Sequence, residues 1–252
     1  MFGTLLAKEV REFWRTWKAI IFLAIFLITG MISPVLARYT PQLLKAIPNM
    51  PAGLADFIPT PTVADAVTQY LKNISQFGIL LVIILTMGVV AQEKERGTAA
   101  MLLTKPVRRS AVILSKWLAG MGLILTGLLT SGLGCLAYTA VLFKPLPFGT
   151  FWTLNLLLAV YLGVYLSLAL LASTLARTQA MAAGGAFGGL VVLLILGSIP
   201  RLNEYTPAML SNWGASLVLG GDVSAWPALG IALGLIVLLM LFACLRFERE
   251  EI

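Results

Sequence analysis

The residues whose types and spacing point to chemistry lie in one polar segment, residues 92–109. Three apolar side chains at its centre, Met101, Leu102 and Leu103, would be exposed to water if the segment stood alone. An apolar knob with a charged rim favours docking, because the charges set the register and exclude wrong partners. The residues alone leave two partners open, the lipid headgroup region and another protein. The rim consists of Glu93, Glu95, Arg96, Arg108 and Arg109.

The sequence lacks several of the residue types and patterns that catalytic sites require. There is no histidine, which removes Ser-His and Cys-His nucleophile pairs and histidine-metal sites. An aspartyl mechanism needs two neighbouring carboxylates, and the long apolar stretches contain none. Asp222 follows two glycines, a pattern typical of a turn. We therefore predict that the chain has no catalytic, cofactor or metal site of its own.

The composition is that of a membrane protein. Of the 252 residues, 59% are hydrophobic and only 12% are charged, whereas a soluble domain has about 25% charged residues. Six stretches lack Asp, Glu, Lys and Arg and approach or exceed the roughly 20 residues that cross a bilayer as a helix. We predict an all-α membrane protein with six transmembrane helices. The spans are residues 19–37, 74–91, 117–142, 151–175, 181–199 and 226–245.

Basic residues are unevenly divided between the two sides of these spans. With a cytoplasmic N-terminus, thirteen of the eighteen Lys and Arg residues fall inside and five outside. The positive-inside rule therefore predicts that both termini are cytoplasmic, with outside loops at 38–73 and 200–225. Topology and anionic lipid explain most of the net charge of +7, so nucleic-acid binding is disfavoured.

Residues 1–18 predict an amphipathic elbow helix that lies in the membrane interface. One face carries apolar residues, and the other carries charges. The expected apolar face consists of Leu6, Val10, Phe13, Trp14 and Trp17, and the expected charged face consists of Lys8, Glu9, Arg11, Glu12 and Arg15. Further along, Thr62 and Asp65 resemble a capping box that starts a short helix before the second span.

Three residues within 92–110 predict a helix, a turn and a further helix. Gly97 suits the end of a helix, Thr98 suits the cap of a new one, and Pro106 suits the first turn of the next. Together they outline a hairpin at the cytoplasmic surface.

These same residues carry a specific resemblance. Glu-Arg-Gly-Thr at 95–98, Leu-Leu at 102–103, Lys-Pro-Val-Arg-Arg at 105–109 and Lys116 resemble the cytoplasmic loop of type-2 ABC exporter permeases. That family includes the subfamily of the nitrous-oxide-reductase maturation permease. The resemblance extends to the elbow helix, the six spans, Pro207 and the charged tail, and it departs at Arg108, where relatives often have a small polar residue.

The resemblance implies one permease domain over 1–252 in the cytoplasmic (inner) membrane of a prokaryote. Its loop 92–110 would act as a coupling helix in a cleft of a separate ATPase, which would bind ATP and Mg and drive export by alternating access. The chain agrees in one respect, since it has no Gly-x-x-x-x-Gly-Lys-Ser/Thr phosphate loop. The alternatives are an ion- or solute-coupled carrier without an ATPase and a membrane scaffold.

Small residues in the last two spans mark close helix contacts. Six helices enclose little central space, so we expect two permease chains, as a homodimer or a heterodimer, with the pathway between them. The resemblance places the second and fifth spans near that pathway. The contact residues are Gly184, Gly185, Gly188 and Gly189 in the fifth span and Gly230 and Gly234 in the sixth.

Overall fold

A computed structural model describes residues 2–45, 60–97 and 108–249 of the chain. Helices dominate these ranges, and none of them contains a strand. A π-helical turn, Ile74–Gly78, separates α3 from α4. The helices are α1 (Phe2–Arg15), α2 (Lys18–Lys45), α3 (Val63–Asn73), α4 (Ile79–Thr86), α5 (Ala91–Glu95), α6 (Arg109–Leu142), α7 (Phe148–Leu175), α8 (Gln179–Ser198), α9 (Pro200–Asn203), α10 (Met209–Leu219) and α11 (Trp226–Glu248).

The described residues contain six helical segments that are long and apolar enough to cross a membrane, as predicted. Five of them are single helices, α2, α6, α7, α8 and α11. The second runs from α3 to α5, Val63–Glu95, and so starts eleven residues before the predicted span at 74. The reason is local, because the Asp65 carboxylate accepts hydrogen bonds from the backbone N–H of Thr62 at 2.7 Å and from its hydroxyl at 2.8 Å. This contact starts α3 at the predicted cap.

The central helix of the bundle is α7. It packs against α4, α6, α8, α10 and α11, and most of its residues are buried. By contrast, α8 buries only Ala182, Ala186 and Leu190 among its twenty residues. Most of the surface of α8 is therefore exposed in the single chain.

The closest helix pair is α2 with α6. Gly30 of α2 lies against the backbone of Ser131 in α6, where a Cβ atom would overlap the carbonyl group. On the same interface Gly127 leaves room for the ring of Phe22. Small residues let these two backbones approach, which is the usual way for helices to associate in a membrane.

The predicted packing glycines divide into two groups. A Cβ atom on Gly185 would lie 3.3 Å from Cβ of Ala172, and one on Gly189 would lie 2.7 Å from a methyl group of Leu168. Both residues therefore face α7. The other four, Gly184, Gly188, Gly230 and Gly234, have no described atom within 4 Å of such a Cβ atom.

Candidate functional site: an ion-pair cluster at one end of the bundle

Three helices bring four charged side chains together at one end of the bundle. Lys116 of α6 donates to Glu93 of α5 at 2.9 Å and to both carboxylate oxygens of Glu9 in α1 at 3.2 Å. Lys8 of α1 donates to Glu93 and to Glu9, each at 3.0 Å. We call Lys8, Glu9, Glu93 and Lys116 the ion-pair cluster. It joins residues that are up to 107 positions apart in the chain.

The cluster is buried at its centre. Glu9 and Lys116 are each only 3% exposed, so neither charge is solvated. Glu9 depends on Lys116 and Lys8 for countercharge, and Lys116 depends on Glu9 and Glu93. Removing one member of a buried pair costs about 3–5 kcal/mol, because the remaining charge has no compensation. The cluster is therefore a fixed connection rather than a surface ion pair.

Glu9 corrects one expectation from the sequence. We expected it on the charged face of α1, but α1 buries Leu5 and Glu9, which lie one turn apart. Helical spacing places both on the face that packs on α6, and Lys116 supplies the countercharge that makes this possible. Arg11, Glu12 and Arg15 are exposed, as expected.

The electrostatics of the cluster favour the charged form of Lys8. Burial by itself lowers the pKa of Lys8, but the negative charges of Glu93 and Glu9 outweigh it and hold that pKa above its usual value. A carboxylate oxygen of Glu12 comes within 4.8 Å of those of Glu9 and Glu93, an arrangement that could hold a cation. The ammonium groups of Lys8 and Lys116 already supply that cationic charge.

A second set of contacts ties α5 to the corner between α7 and α8. The backbone N–H groups of Val90 and Ala91 both donate to the Ser173 hydroxyl at 3.0 Å. Lys94 donates to the carbonyl of Thr174 at 2.5 Å. The two bonds to Ser173 satisfy backbone donors at the start of α5 that have no partner within their own helix.

The outer residues of α5 and α6 reach two further elements. The Glu95 carboxylate accepts from the backbone N–H of Gln179 at the start of α8, at 3.1 Å. Arg109 donates to the carbonyl of Glu248 at 3.2 Å and to that of Phe247 at 3.5 Å, at the end of α11. A cation in this position also suits the negative end of the α11 dipole. We call this end of the bundle, where α1, α5, the start of α6 and the end of α11 meet, the hairpin end.

The structure places the predicted docking residues in three ways. Glu93, Glu95 and Arg109 contact other helices of the same chain. Arg96, Gly97 and Arg108 are exposed, and Gly97 has a φ of +69°, which suits the predicted helix end. The remaining predicted residues lie outside the described residues, and these are Thr98, Met101, Leu102, Leu103 and Pro106.

Sequence reasoning missed the roles of Lys8 and Glu9 in the ion-pair cluster. One signal was present for Glu9, which follows Leu5 by four residues and so interrupts an apolar face of α1. For Ser173, near the end of the fourth span, the sequence predicts an interhelical hydrogen bond rather than contact with cargo, and the bonds from Val90 and Ala91 confirm that contact.

The comparisons with known proteins agree with this architecture. The sequence profile of the ABC-2 family of transporter proteins matches residues 4–252. An uncharacterized transmembrane protein of Bacillus subtilis (strain 168), YxlG, is 32% identical over 114 residues, which is 45% of this chain and 44% of that protein. The match thus spans less than half of the relative. Because the family profile covers nearly the whole chain, this protein belongs to the ABC-2 family of membrane transporter proteins.

Proposed function

We propose that this chain is the transmembrane permease subunit of an ATP-binding-cassette exporter, driven through alternating access by a separate ATPase subunit. Family membership supports the transporter class and an association with ABC ATPases in general. The observation that carries the coupling role is the ion-pair cluster, because it locks together the helices on both sides of residues 98–107.

The cluster explains how force on the segment 98–107 would reach the membrane helices. That segment lies in the sequence between α5 and α6, and Glu93 and Lys116 join those two helices at 2.9 Å. The same pair is joined to α1 through Glu9, and α5 is tied to α7 and α8 through Ser173 and Glu95. A push from an ATPase on 98–107 would therefore move α1, α6 and the α7–α8 corner together.

The direction of the chain in the membrane follows from charge. We place the hairpin end in the cytoplasm, because most Lys and Arg residues flank it and few flank the opposite end. This puts both termini inside and α1 at the membrane interface as an elbow helix. Exposed Trp14 and Trp17 at the corner between α1 and α2 support that placement, since tryptophan favours the interface.

A second permease chain completes the proposal. A Cβ atom on Gly184 or Gly188 of α8 would meet no described atom within 4 Å, and the exposed Val191 and Ile195 continue the same face. Close approach of two such faces would place the fifth spans of a homodimer or heterodimer side by side. ATP and Mg would be bound by the ATPase subunits and not by this chain.

The test is purification of the native chain in mild detergent, with crosslinking through a cysteine placed at Thr104 or Arg108. A stoichiometric soluble subunit with a phosphate loop is expected in the adduct. Leu102→Asp and Leu103→Asp should lower its recovery and its stimulation by the permease, whereas Tyr205→Asp, an exposed residue in the loop before α10, should not. The coupling role is wrong if no ATPase is recovered, or if both Leu variants recover and stimulate the ATPase as the unmodified chain does. Either result would support the alternative hypotheses, a carrier without an ATPase or a membrane scaffold.

A further inference from the structure

An apolar groove of about 340 Å³ runs between α1 and α6. Leu6, Val10 and Trp14 of α1 form one wall, and Leu118, Gly122 and Thr126 of α6 form the other. The groove lies beside the ion-pair cluster, on the neighbouring apolar face of α1.

Gly122 leaves space in the α6 wall of the groove because it has no side chain. A Cβ atom on Gly122 would meet no described atom within 4 Å. The nearby hydroxyl of Thr126 donates within its own helix, to the carbonyls of Gly122 and Leu123 at 3.0 Å. The groove therefore offers no unsatisfied polar atom from Thr126 and suits an apolar occupant.

The groove extends along α6. From Leu118 to Thr126, α6 rises about 12 Å at 1.5 Å per residue. Thr126 also lines a second apolar groove, of about 380 Å³, which follows α6 to Leu129. Leu118, Leu125 and Leu129 are each at least 40% exposed along this path. An extended hydrocarbon chain fits this shape better than a compact ligand does.

Two arginines on the side of α1 away from the groove indicate where an anionic headgroup of the occupant would lie. Arg11 and Arg15 are exposed, and within the described part of the chain neither forms an ion pair or a side-chain hydrogen bond. Trp14 lies between these arginines and the groove on the helix surface. Across α1 the order is cationic, then aromatic, then apolar, which matches a phospholipid from phosphate to acyl chain.

We propose that the groove between α1 and α6 binds one acyl chain of an anionic phospholipid, with the phosphate at Arg11 and Arg15. The occupant would fill the space beneath α1 and hold the elbow helix against α6. This inference rests on the proposed placing of α1 at the membrane interface, and it does not depend on ATPase coupling.

The test uses nanodiscs of phosphatidylcholine that contain a small fraction of phosphatidylglycerol with a diazirine in one acyl chain. After irradiation, adducts mapped by mass spectrometry are expected to concentrate at 118–126 and on the apolar face of α1. Gly122→Trp, which fills the groove, should reduce these adducts several-fold, and Gly122→Leu should reduce them less. Ala137→Trp lies on the same exposed stripe of α6 beyond the groove and should leave them unchanged.

A second arm tests the headgroup. Arg11→Gln with Arg15→Gln should reduce the adducts of labelled phosphatidylglycerol but not those of labelled phosphatidylcholine. Adducts spread evenly over the exposed faces of α6 and α11, or adducts unaffected by either Gly122 variant, would overturn the proposal. If the adducts are spread uniformly but an ATPase is recovered, only this inference is contradicted. If the adducts are localised but no ATPase is recovered, only the coupling role is contradicted.

Discussion

Lys116 and Glu93 form an ion pair of 2.9 Å that joins the two helices between which residues 98–107 lie in the sequence. Glu9 of α1 shares the same ammonium group, so a third helix is held by it. Under the proposed coupling role, a movement of residues 98–107 would reach α1, α5 and α6 through this junction.

Loss of the central lysine should destabilise the protein strongly. In Lys116→Met, Glu9 stays buried and loses its buried countercharge, so that the half-exposed Lys8 is the cation left beside it, and we expect a loss of up to about 3–5 kcal/mol. The measurement is thermal unfolding of the purified chain in detergent. Lys144→Met, at an exposed position between α6 and α7, is the matched control and should change little.

The double variant of this pair separates the ion pair from general disruption. Glu9→Gln with Lys116→Met removes both charges, so its loss of stability should be smaller than the sum of the two single losses. Additive losses would show that Glu9 and Lys116 do not depend on each other.

Ser173 should control the mobility of α5. In Ser173→Ala the N–H groups of Val90 and Ala91 lose their acceptor, which costs roughly 1–3 kcal/mol for each buried group left unpaired. Amide hydrogen exchange should accelerate at 90–95. Ser198→Ala removes a hydroxyl that bonds only within α8, and it should leave exchange at 90–95 as it is.

The contact between α2 and α6 should not tolerate a single methyl group. Gly30→Ala would press on the carbonyl of Ser131, and overpacking of this kind costs typically about 1–3 kcal/mol. Gly122→Ala is the control in α6, because its methyl group would enter open space. It should leave the free energy of unfolding unchanged or raise it slightly, since alanine favours helix. Equal melting temperatures for the two variants would contradict the close approach of α2 and α6.

The exposed face of α8 should mediate association of two permease chains. Gly184→Trp or Gly188→Trp has room in the single chain and should leave folding intact while it lowers the mass of the detergent-solubilised particle. Gly149→Trp, at the start of α7 and equally open, serves as the control. A dimer that persists in both α8 variants would place the interface elsewhere.

The amino-acid sequence by itself determined which segments enter the membrane. Length, lack of charge and continuous apolarity identify all six candidate spans, because the cost of placing an unpaired charge in hydrocarbon is large. Local signals also sufficed at helix ends. Asp65 bonds the backbone of Thr62 where a cap was expected, and Gly97 has the left-handed conformation that a helix stop favours.

Only the tertiary structure decided which faces of those helices meet. All the spans are similarly apolar, and lipid is as apolar as a leucine side chain, so hydropathy cannot distinguish the central α7 from the peripheral α8. Close packing distinguishes them, through small residues such as Gly30 opposite Ser131. The same holds for the charges. Glu9 was expected to face water, and its burial became possible because the fold brings Lys116, 107 residues away in the chain, within 3.2 Å.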